Sequence, residues 1–591
     1  MPAGQGPGDV KLVVGMDFGT TFSGYAISHK QKPEEVEAFF NWPSQPMPYA
    51  KTLTALYYEK QADGTYAATS WGFPARLKQQ ANRGARSTAM CVERFKLLLD
   101  EPTSALARHG AICKQPPSEG IVLPRGCTVE SVIGDYLRFL KEDVQTVIGK
   151  QYDGIITLDN VQWCLSVPAM WTDRAKARMR QAAYLAGMIP DIDSTRLTFA
   201  LEPEAAAVYC SHNRDQYHFG KDQSFMVVDA GGGTVDLTVH KVVSGGTMEE
   251  VTRGHGQSCG ATYVDKEFVK CVKRKLGVEY YDQWRAKYPA EMSLLMANWE
   301  ESKRLFAGSG CDPMSIAMPP RMYKNLPDDV EERLCEEQDG YDDSIVLTGA
   351  EGVRVFDPVV DKVLGLIEEQ MRRLREKGTQ GARQLHAMLL VGGFSSSPYL
   401  CQRVKDRFGG RVKCIINPPH PGAAVVIGAV HYGSNPSVIK ARVSRFTYGV
   451  RCSSEFHSTN MLHQKHDDKK EWDEKTQTFW LNNLFHTFVK VGELVPVDHK
   501  VTRSFFVPRH EIENAEITSI VFQIFHSDFN PFFTTEKGVS KLGNCVCVAP
   551  TEGQRGIKAV MHFGDTEIRM EVIPLDKSFP SRDTTVKFSC K

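Results

Sequence analysis

Through the first two thirds of the chain, short and nearly unbroken apolar runs alternate with longer segments of helical spacing. Leu12–Met16, Val161–Val167, Phe225–Asp229 and Met388–Val391 are the clearest runs. Their alternation with helices predicts a mixed α/β fold from Lys11 to about Val430. One helix is marked at both ends: Thr172 caps it, Met179, Ala182, Ala183 and Ala186 recur at helical spacing, and Gly187 stops it. Met292, Leu295, Met296, Trp299 and Phe306 mark a second. The pattern changes after Tyr432. Gly433-Ser434-Asn435-Pro436-Ser437 predicts a boundary loop. The β-branched and aromatic runs that follow, at Arg445–Val450, Leu484–Val491, Ile517–Phe525, Ile568–Ile573 and Thr585–Ser589, predict an all-β module of about 150 residues in the sandwich or barrel class. Within it, the polar stretch Gln464–Gln477 predicts an exposed loop, with His463 and His466 in solvent. The acid-dense stretch Pro327–Asp343 predicts a solvated loop or helix end.

One pattern occurs twice. Met16-Asp17-Phe18-Gly19-Thr20-Thr21 and Val228-Asp229-Ala230-Gly231-Gly232-Gly233-Thr234-Val235-Asp236 each run from a strand, through an Asp and a Gly-rich turn, into an alternating segment, Phe22–Ser28 or Leu237–Val243. This predicts a duplicated α/β domain with two facing loops.

Composition narrows the classes. At 591 residues the chain exceeds one hydrophobic core, and the usual domain size predicts roughly four units. Lys+Arg and Asp+Glu are 71 each, so bulk charge does not point to nucleic acid or acidic membranes. The fifteen cysteines include no CxxC pair, which removes zinc-ribbon and thioredoxin-type spacing. The N-terminus has no basic-then-apolar leader and no run is long enough to span a bilayer. A cytoplasmic protein, with a nuclear pool as a second option, is the expectation.

The Gly-rich hairpins carry the chemistry. Glycines let successive backbone N–H groups crowd around an anion, Thr hydroxyls add donors to phosphate oxygens, and an Asp at the strand end can orient a hydrated divalent cation. Asp-Gly turns are common, so one hairpin is weak evidence; two, one with three consecutive glycines, predict a phosphate clamp. Leu389-Leu390-Val391-Gly392-Gly393-Phe394 followed by Ser395-Ser396-Ser397-Pro398 adds a Gly-Gly turn entering a helix. Asp17-Phe18-Gly19 spells the kinase metal motif, yet only sixteen residues precede it. No P-loop motif occurs.

These loops, in this order, with VPAMWTDRAKARMRQAAYLAGM at 167–188 and LEPEAAAVYC at 201–210, resemble the actin-like ATPase of the 70-kDa heat-shock protein family, on its divergent class-12 (12A/12B-type) branch. DFGTTFSGYA at 17–26, SRFTYGV at 444–450 and HFGDTEI at 562–568 point the same way, and the resemblance runs from about residue 11 onward. It implies duplicated ribonuclease-H-like lobes of four subdomains over residues 11–432, a linker at 433–443 and a lidless β-sandwich at 444–591. It implies ATP or ADP with Mg2+ in the cleft. Gly19, Thr20 and Thr21 would hold phosphates from one lobe, and Gly231, Gly232, Gly233 and Thr234 from the other. Asp17 and Asp229 would hold the metal through water, with Asp236 nearby. Glu202 would orient the attacking water, and Lys96 would stabilise the transferring phosphoryl group. Glu300, Lys303 and Arg304, on one helix face, would contact the adenosine over Gly392, Gly393 and Phe394. Pro168 matches a proline that relays nucleotide state.

The departures shape the expected function. The family's Asn-Pro-Asp-Glu-Ala run reads Asn417-Pro418-Pro419-His420-Pro421 here, without the Asp, so slow hydrolysis is expected. Phe394 and Ala307 replace small polar residues beside the adenosine. The linker segment Ser437–Ser444 is basic rather than acidic. The leading expectation is an ATP-binding, chaperone-like protein whose nucleotide state controls lobe closure and binding of protein or peptide clients. The alternative is a nucleotide-regulated scaffold or signalling adaptor with negligible turnover; a small-molecule kinase of the actin-like superfamily ranks below both.

Overall fold

The computed structural model describes residues 9–82, 89–99, 121–212, 219–338, 340, 343–377, 385–506, 518–549, 556–563, 566–575, 582–585 and 587–588. Two sheets of matching topology dominate the first 430 residues. In the first, Leu12–Phe18 and Phe22–His29 form a hairpin, Val36–Ala38 extends it on one side, and Val161–Val167 and Leu197–Leu201 follow in parallel on the other. The second repeats that order with Met248–Gln257, Val235–Val242, Ser224–Ala230, Leu385–Val391 and Cys414–Ile416. The duplication predicted from the two hairpins therefore extends to three further strands per lobe. Both central strands, Leu12–Phe18 and Ser224–Ala230, are buried along their whole length. That is why they read as continuous rather than alternating apolar runs.

Helices cover these sheets. Val129–Tyr152 and Asp173–Leu185 share a core with the first sheet, and Ala261–Leu276 and Gly349–Glu376 with the second. Thr172 caps Asp173–Leu185 by accepting the Ala175 amide at 3.2 Å, and Gly187 past its end has φ +65°. The second predicted helix is Pro289–Leu305, with Pro289 at the first helical position, where a missing N–H costs nothing. The acidic stretch contains the amphipathic helix Asp328–Glu337, anchored by buried Val330 and Leu334; residues 339, 341 and 342 of that stretch lie outside the described residues.

Between the sheets run two more helices, Glu202–His212 and Ala424–Ser434. They share a core of small residues that includes Ala205, Ala206, Ala207, Ala424 and Ala429. A Cβ on Gly428 would overlap the Ala205 carbonyl oxygen, so the two helices meet main chain to main chain. Only glycine permits that approach.

The predicted boundary segment is structured. The helix continues through Ser434, Pro436–Val438 forms a 3-10 turn, and Ile439–Val443 becomes a strand parallel to Met248–Gln257. Leu494–Pro496 pairs with that strand in turn, so the second sheet runs on to seven strands. Strands dominate the C-terminal part. One sheet orders Glu471–Asp473, Thr478–Val489, Thr447–Glu455, Thr518–Ser527, Ser540–Ala549 and Lys587–Phe588; another orders Lys500–Phe506, Gly556–His562, Arg569–Pro574 and Arg582–Thr585. Val450, Phe488 and Ile524 of the first share a core with Ile557, Met561 and Met570 of the second. Of the predicted runs, Ile517, Val586 and Ser589 lie outside the described residues. The 464–477 stretch is largely exposed, yet His463 is buried, contrary to the expectation: its ring lies against Phe456 and His457, and its Nδ1 accepts the His457 amide at 3.1 Å. Among the described residues no helix is long and apolar enough to cross a membrane.

The C-terminal part rests on the first lobe. Arg180 forks onto Glu567 (Nε–Oε1 2.9 Å, Nη2–Oε2 2.5 Å). Lys176 donates to the Thr566 carbonyl at 2.7 Å, Thr566 donates to the Phe199 carbonyl at 2.9 Å, and Tyr448 donates to Asp173 at 3.2 Å.

Candidate functional site

The two hairpin tips face each other across one cleft. Asp17, Gly19, Thr20, Thr21, Phe22, Tyr49, Lys51 and Lys96 line it from the first lobe; Glu202 stands on a helix between the lobes; Asp229, Gly231, Gly232, Gly233, Thr234, Gly392 and Gly393 line it from the second. The tips touch: a Cβ on Gly233 would lie 2.5 Å from Thr20 Oγ1, and one on Gly232 would strike Thr21. The second loop's amides are aimed by what its carbonyls do. Gly233, Gly231 and Gly232 accept from the amides of Gly260, Ala261 and Thr262, at 2.9–3.1 Å, where the helix Ala261–Leu276 begins. With the carbonyls held by that helix start, the Gly232 and Gly233 amides have no backbone acceptor among the described residues. Such a nest is built for an anion. The first loop is stapled from behind, where Ser23 takes the Gly19 amide at 3.2 Å and Thr54 donates to the Gly19 carbonyl at 2.9 Å.

Glu202 and Lys96 form a buried pair in the cleft, 2.7 Å apart. Lys96 belongs to the short 3-10 helix Phe95–Leu99 and is 4 % exposed, its ammonium also lying over the Phe18 and Trp171 rings. Burial pushes the Glu202 carboxyl up to about 7, helped by Asp17 and Asp236 and opposed by Lys96. A carboxyl poised near neutrality can exchange a proton with water. Burial likewise pushes Asp229 well above the usual carboxylate range, with Glu202, Asp17 and Asp236 all adding to it. Asp236 sits directly opposite Asp229 in the hairpin and is buried behind the loop. Its Oδ1 accepts the Met170 amide at 3.1 Å, which ties it to the Pro168–Met170 turn of the other lobe. Pro168 itself borders a small hollow with Thr20, Lys96, Trp171 and Thr234.

Sequence reasoning missed Lys51. Its ammonium contacts Asp17 Oδ2, while Ser166 Oγ donates to Asp17 Oδ1 at 3.0 Å. Burial opposes the lysine's charge, yet the Asp17 carboxylate more than offsets this and holds the ammonium well above its usual range. The pairing joins residues 34 positions apart, so no local motif announces it. These contacts decide how the residues fit a hydrated Mg2+. Asp229 faces the cleft and has no ion-pair partner among the described residues; burial raises its carboxyl, Glu202, Asp17 and Asp236 add to this, and the Lys51 charge offsets only part of it. Asp17 is already neutralised by the Lys51 ammonium, so a hydrated divalent cation there would meet a like charge, and the two-aspartate arrangement does not fit this charge set.

The helix face expected to meet adenosine holds together as a cluster. Glu300 pairs with Lys303 and, at 2.9 Å, with Arg304. Lys303 is buried against Asp265 at 2.9 Å, which also accepts from Trp299 at 3.0 Å. Arg304 is exposed and lies over the Phe22 ring of the opposite lobe, 5.7 Å from its centroid. Arg94 to Asp265, at 3.2 Å, is a second bridge between lobes. Gly392, with φ +84°, brings the turn against Asp229 and Ala230, and its amide donates to the Pro421 carbonyl at 3.0 Å. Phe394 is only 4 % exposed and packs in the second lobe's core rather than in the cleft wall.

Comparison with known proteins agrees with this arrangement. The family model described as Hsp70 protein matches residues 125–479. Heat shock 70 kDa protein 12A of Homo sapiens is 28 % identical over 96 % of this chain and 90 % of its own length. Heat shock 70 kDa protein 12B of Homo sapiens is 26 % identical over 95 % and 89 %. Chaperone protein DnaK of Anaplasma marginale (strain St. Maries) is 26 % identical over 46 % of this chain and 37 % of its own. With more than half its residues matched by that model and near-full-length likeness to the 12A and 12B proteins, the chain belongs to the Hsp70 family.

Proposed function

We propose that the cleft binds ATP or ADP, and that the protein is a chaperone-like member of its family in which nucleotide changes the closure of the two lobes. The observation that carries this reading is the meeting of two Gly/Thr hairpin tips in the cleft that also holds the Lys96–Glu202 pair. Gly19, Thr20, Thr21 and Gly231–Thr234 hold the phosphates, and Lys96 stabilises charge on the terminal phosphoryl group. Glu202 positions and deprotonates the attacking water, consistent with its poised carboxyl. Arg304 and Phe22 flank the base, and the Gly392–Gly393 turn lies beneath it. Residues 11–432 carry the nucleotide site, 433–443 lead out of it as the end of a helix and an added strand of the second sheet, and 444–591 form a sandwich-type unit that takes a protein or peptide partner. The contacts of Arg180, Lys176 and Asp173 with that unit give closure a path to it.

Calorimetry of ATP binding to the full chain tests the reading. Gly232→Val places a side chain against Thr21 and into the phosphate path, and is expected to weaken ATP at least about tenfold, or ~1.4 kcal/mol. Unchanged affinity in a folded variant would overturn it. One observation favours a second reading, a nucleotide-regulated scaffold with negligible turnover: the Asn417–Pro421 stretch that buttresses Gly392 contains no carboxylate. Single-turnover phosphate release separates the two, since a scaffold binds ATP without releasing phosphate.

A further inference from the structure

Lys51 occupies a prepared seat. It lies just before Thr52–Leu53, which pairs with the first hairpin at Ser23 and Phe22. Its stem passes over Gly24, the residue directly opposite Asp17 in that hairpin. A Cβ on Gly24 would come within 3.2 Å of Lys51 Cα and Cγ and would displace the lysine from the cleft. The second lobe, built on the same plan, has Asp236 at the matching position opposite Asp229. The two halves of the site therefore differ where the carboxylates sit: Asp17 is paired with a cation from its own lobe, and Asp229 has no ion-pair partner among the described residues.

An ammonium carries three donors and one charge. On Lys51, one donor is spent on Asp17, and the rest of the head borders the same cleft as Gly19, Thr20, Gly231 and Gly232. A hydrated divalent ion drawn to Asp17 would meet a like charge already seated on that carboxylate, in a buried setting where repulsion is weakly screened.

We propose that Lys51 is the built-in cation of the phosphate site: its ammonium takes the place on Asp17 that the water shell of a divalent cation would take, and nucleotide binds in this cleft without needing one. This rests on the ATP-binding reading above. Asp17 then serves to anchor Lys51, and Lys51 donates to phosphate oxygens alongside the loop amides.

The test is calorimetry of ATP binding to the full chain, in excess EDTA and in millimolar Mg2+, for the natural protein, Lys51→Met and Lys51→Arg. The natural protein is expected to bind with affinities within about threefold of each other in the two buffers, and Lys51→Met to lose at least about tenfold in EDTA and regain it with Mg2+. Lys51→Arg, which keeps the charge, is expected to stay indifferent to EDTA. Binding by the natural protein that falls tenfold or more in EDTA and returns with Mg2+ would overturn the proposal while leaving the ATP-binding reading intact. Absence of binding in both buffers would overturn that reading and the proposal with it. The comparison between buffers needs no variant, so a Lys51→Met protein that fails to fold does not blunt it.

Discussion

Arg442 lies flat against Glu204, with Nε–Oε1 at 2.6 Å and Nη2–Oε2 at 2.9 Å, and Glu204 is 1 % exposed. The pair joins the strand Ile439–Val443, at the edge of the second sheet, to the helix that carries Glu202. Burial opposes the Glu204 charge, but Arg442 outweighs it and holds the carboxyl below its usual range. Arg442→Ala strands a buried carboxylate, and removing one partner of such a pair typically costs about 3–5 kcal/mol. Urea unfolding of the full chain should show a loss of that order, with Arg442→Lys recovering only part because it cannot fork.

The pH dependence of stability follows from two raised carboxyls. Burial pushes both Glu202 and Glu250 up to about 7, the latter despite Arg445 and the Val443 amide, which it accepts at 2.8 Å. A folded-state value above the unfolded one means the native protein binds more protons between the two, so these groups favour folding below about 4.5 and lose that contribution as pH rises through about 7. Stability measured at pH 5 through 8 should therefore carry a falling component. Glu250→Gln should flatten it, because the amide oxygen can still accept from Val443 while the titration is gone. An unchanged profile would remove Glu250 from the account.

Gly428 sets a steric limit. Any side chain there meets the Ala205 carbonyl, main chain against main chain, with no flexible group to yield. Gly428→Val should cost about 1–3 kcal/mol or more by forcing the two central helices apart. Thermal melts report the loss, and ATP affinity should fall with it, since Glu202 begins one of those helices.

Contact between the C-terminal part and the first lobe depends on Glu567. Glu567→Ala leaves Arg180 with the Ser194 and Leu197 carbonyls, at 3.1 and 2.9 Å, so the lobe should remain folded while its hold on the C-terminal part weakens. Hydrogen exchange should rise at Arg569–Pro574 and at Asp173–Leu185, and stay unchanged in Ser224–Ala230.

What the sequence discloses follows from how local each feature is. The two hairpins were legible because a tight Gly-rich turn between strands leaves its signature in consecutive residues. The Thr172 cap and the Gly187 stop were legible for the same reason. Lys51 was not, because its pairing with Asp17 closes a loop through a short strand that hydrophobic pattern hardly registers. Lys96 was expected at the phosphoryl group from the family resemblance alone, and its burial against Glu202 is a tertiary contact that its neighbours in sequence do not encode. Phe394 follows the Gly-Gly turn and was expected beside the base. The turn's positive φ sends the chain into a 3-10 helix that directs the ring into the core. His463, in a polar stretch, is enclosed by contacts from His457 that composition does not encode.

The continuous seven-stranded sheet has a practical consequence for anyone dividing this protein. A fragment ending at residue 435 removes Ile439–Val443 and Leu494–Pro496 and lays bare the start of Met248–Gln257, where Met248 and Glu249 pair with Ile439 and Ala441. That raw edge is a template for pairing with another copy. A nucleotide-binding fragment cut there should self-associate, and activity measured on it would report a different molecule. Extending it through Val497, whose amide donates to the Lys440 carbonyl at 2.9 Å, would cover that edge but strip Thr518–Ser527 from Thr447–Glu455, so the full chain is the unit to measure.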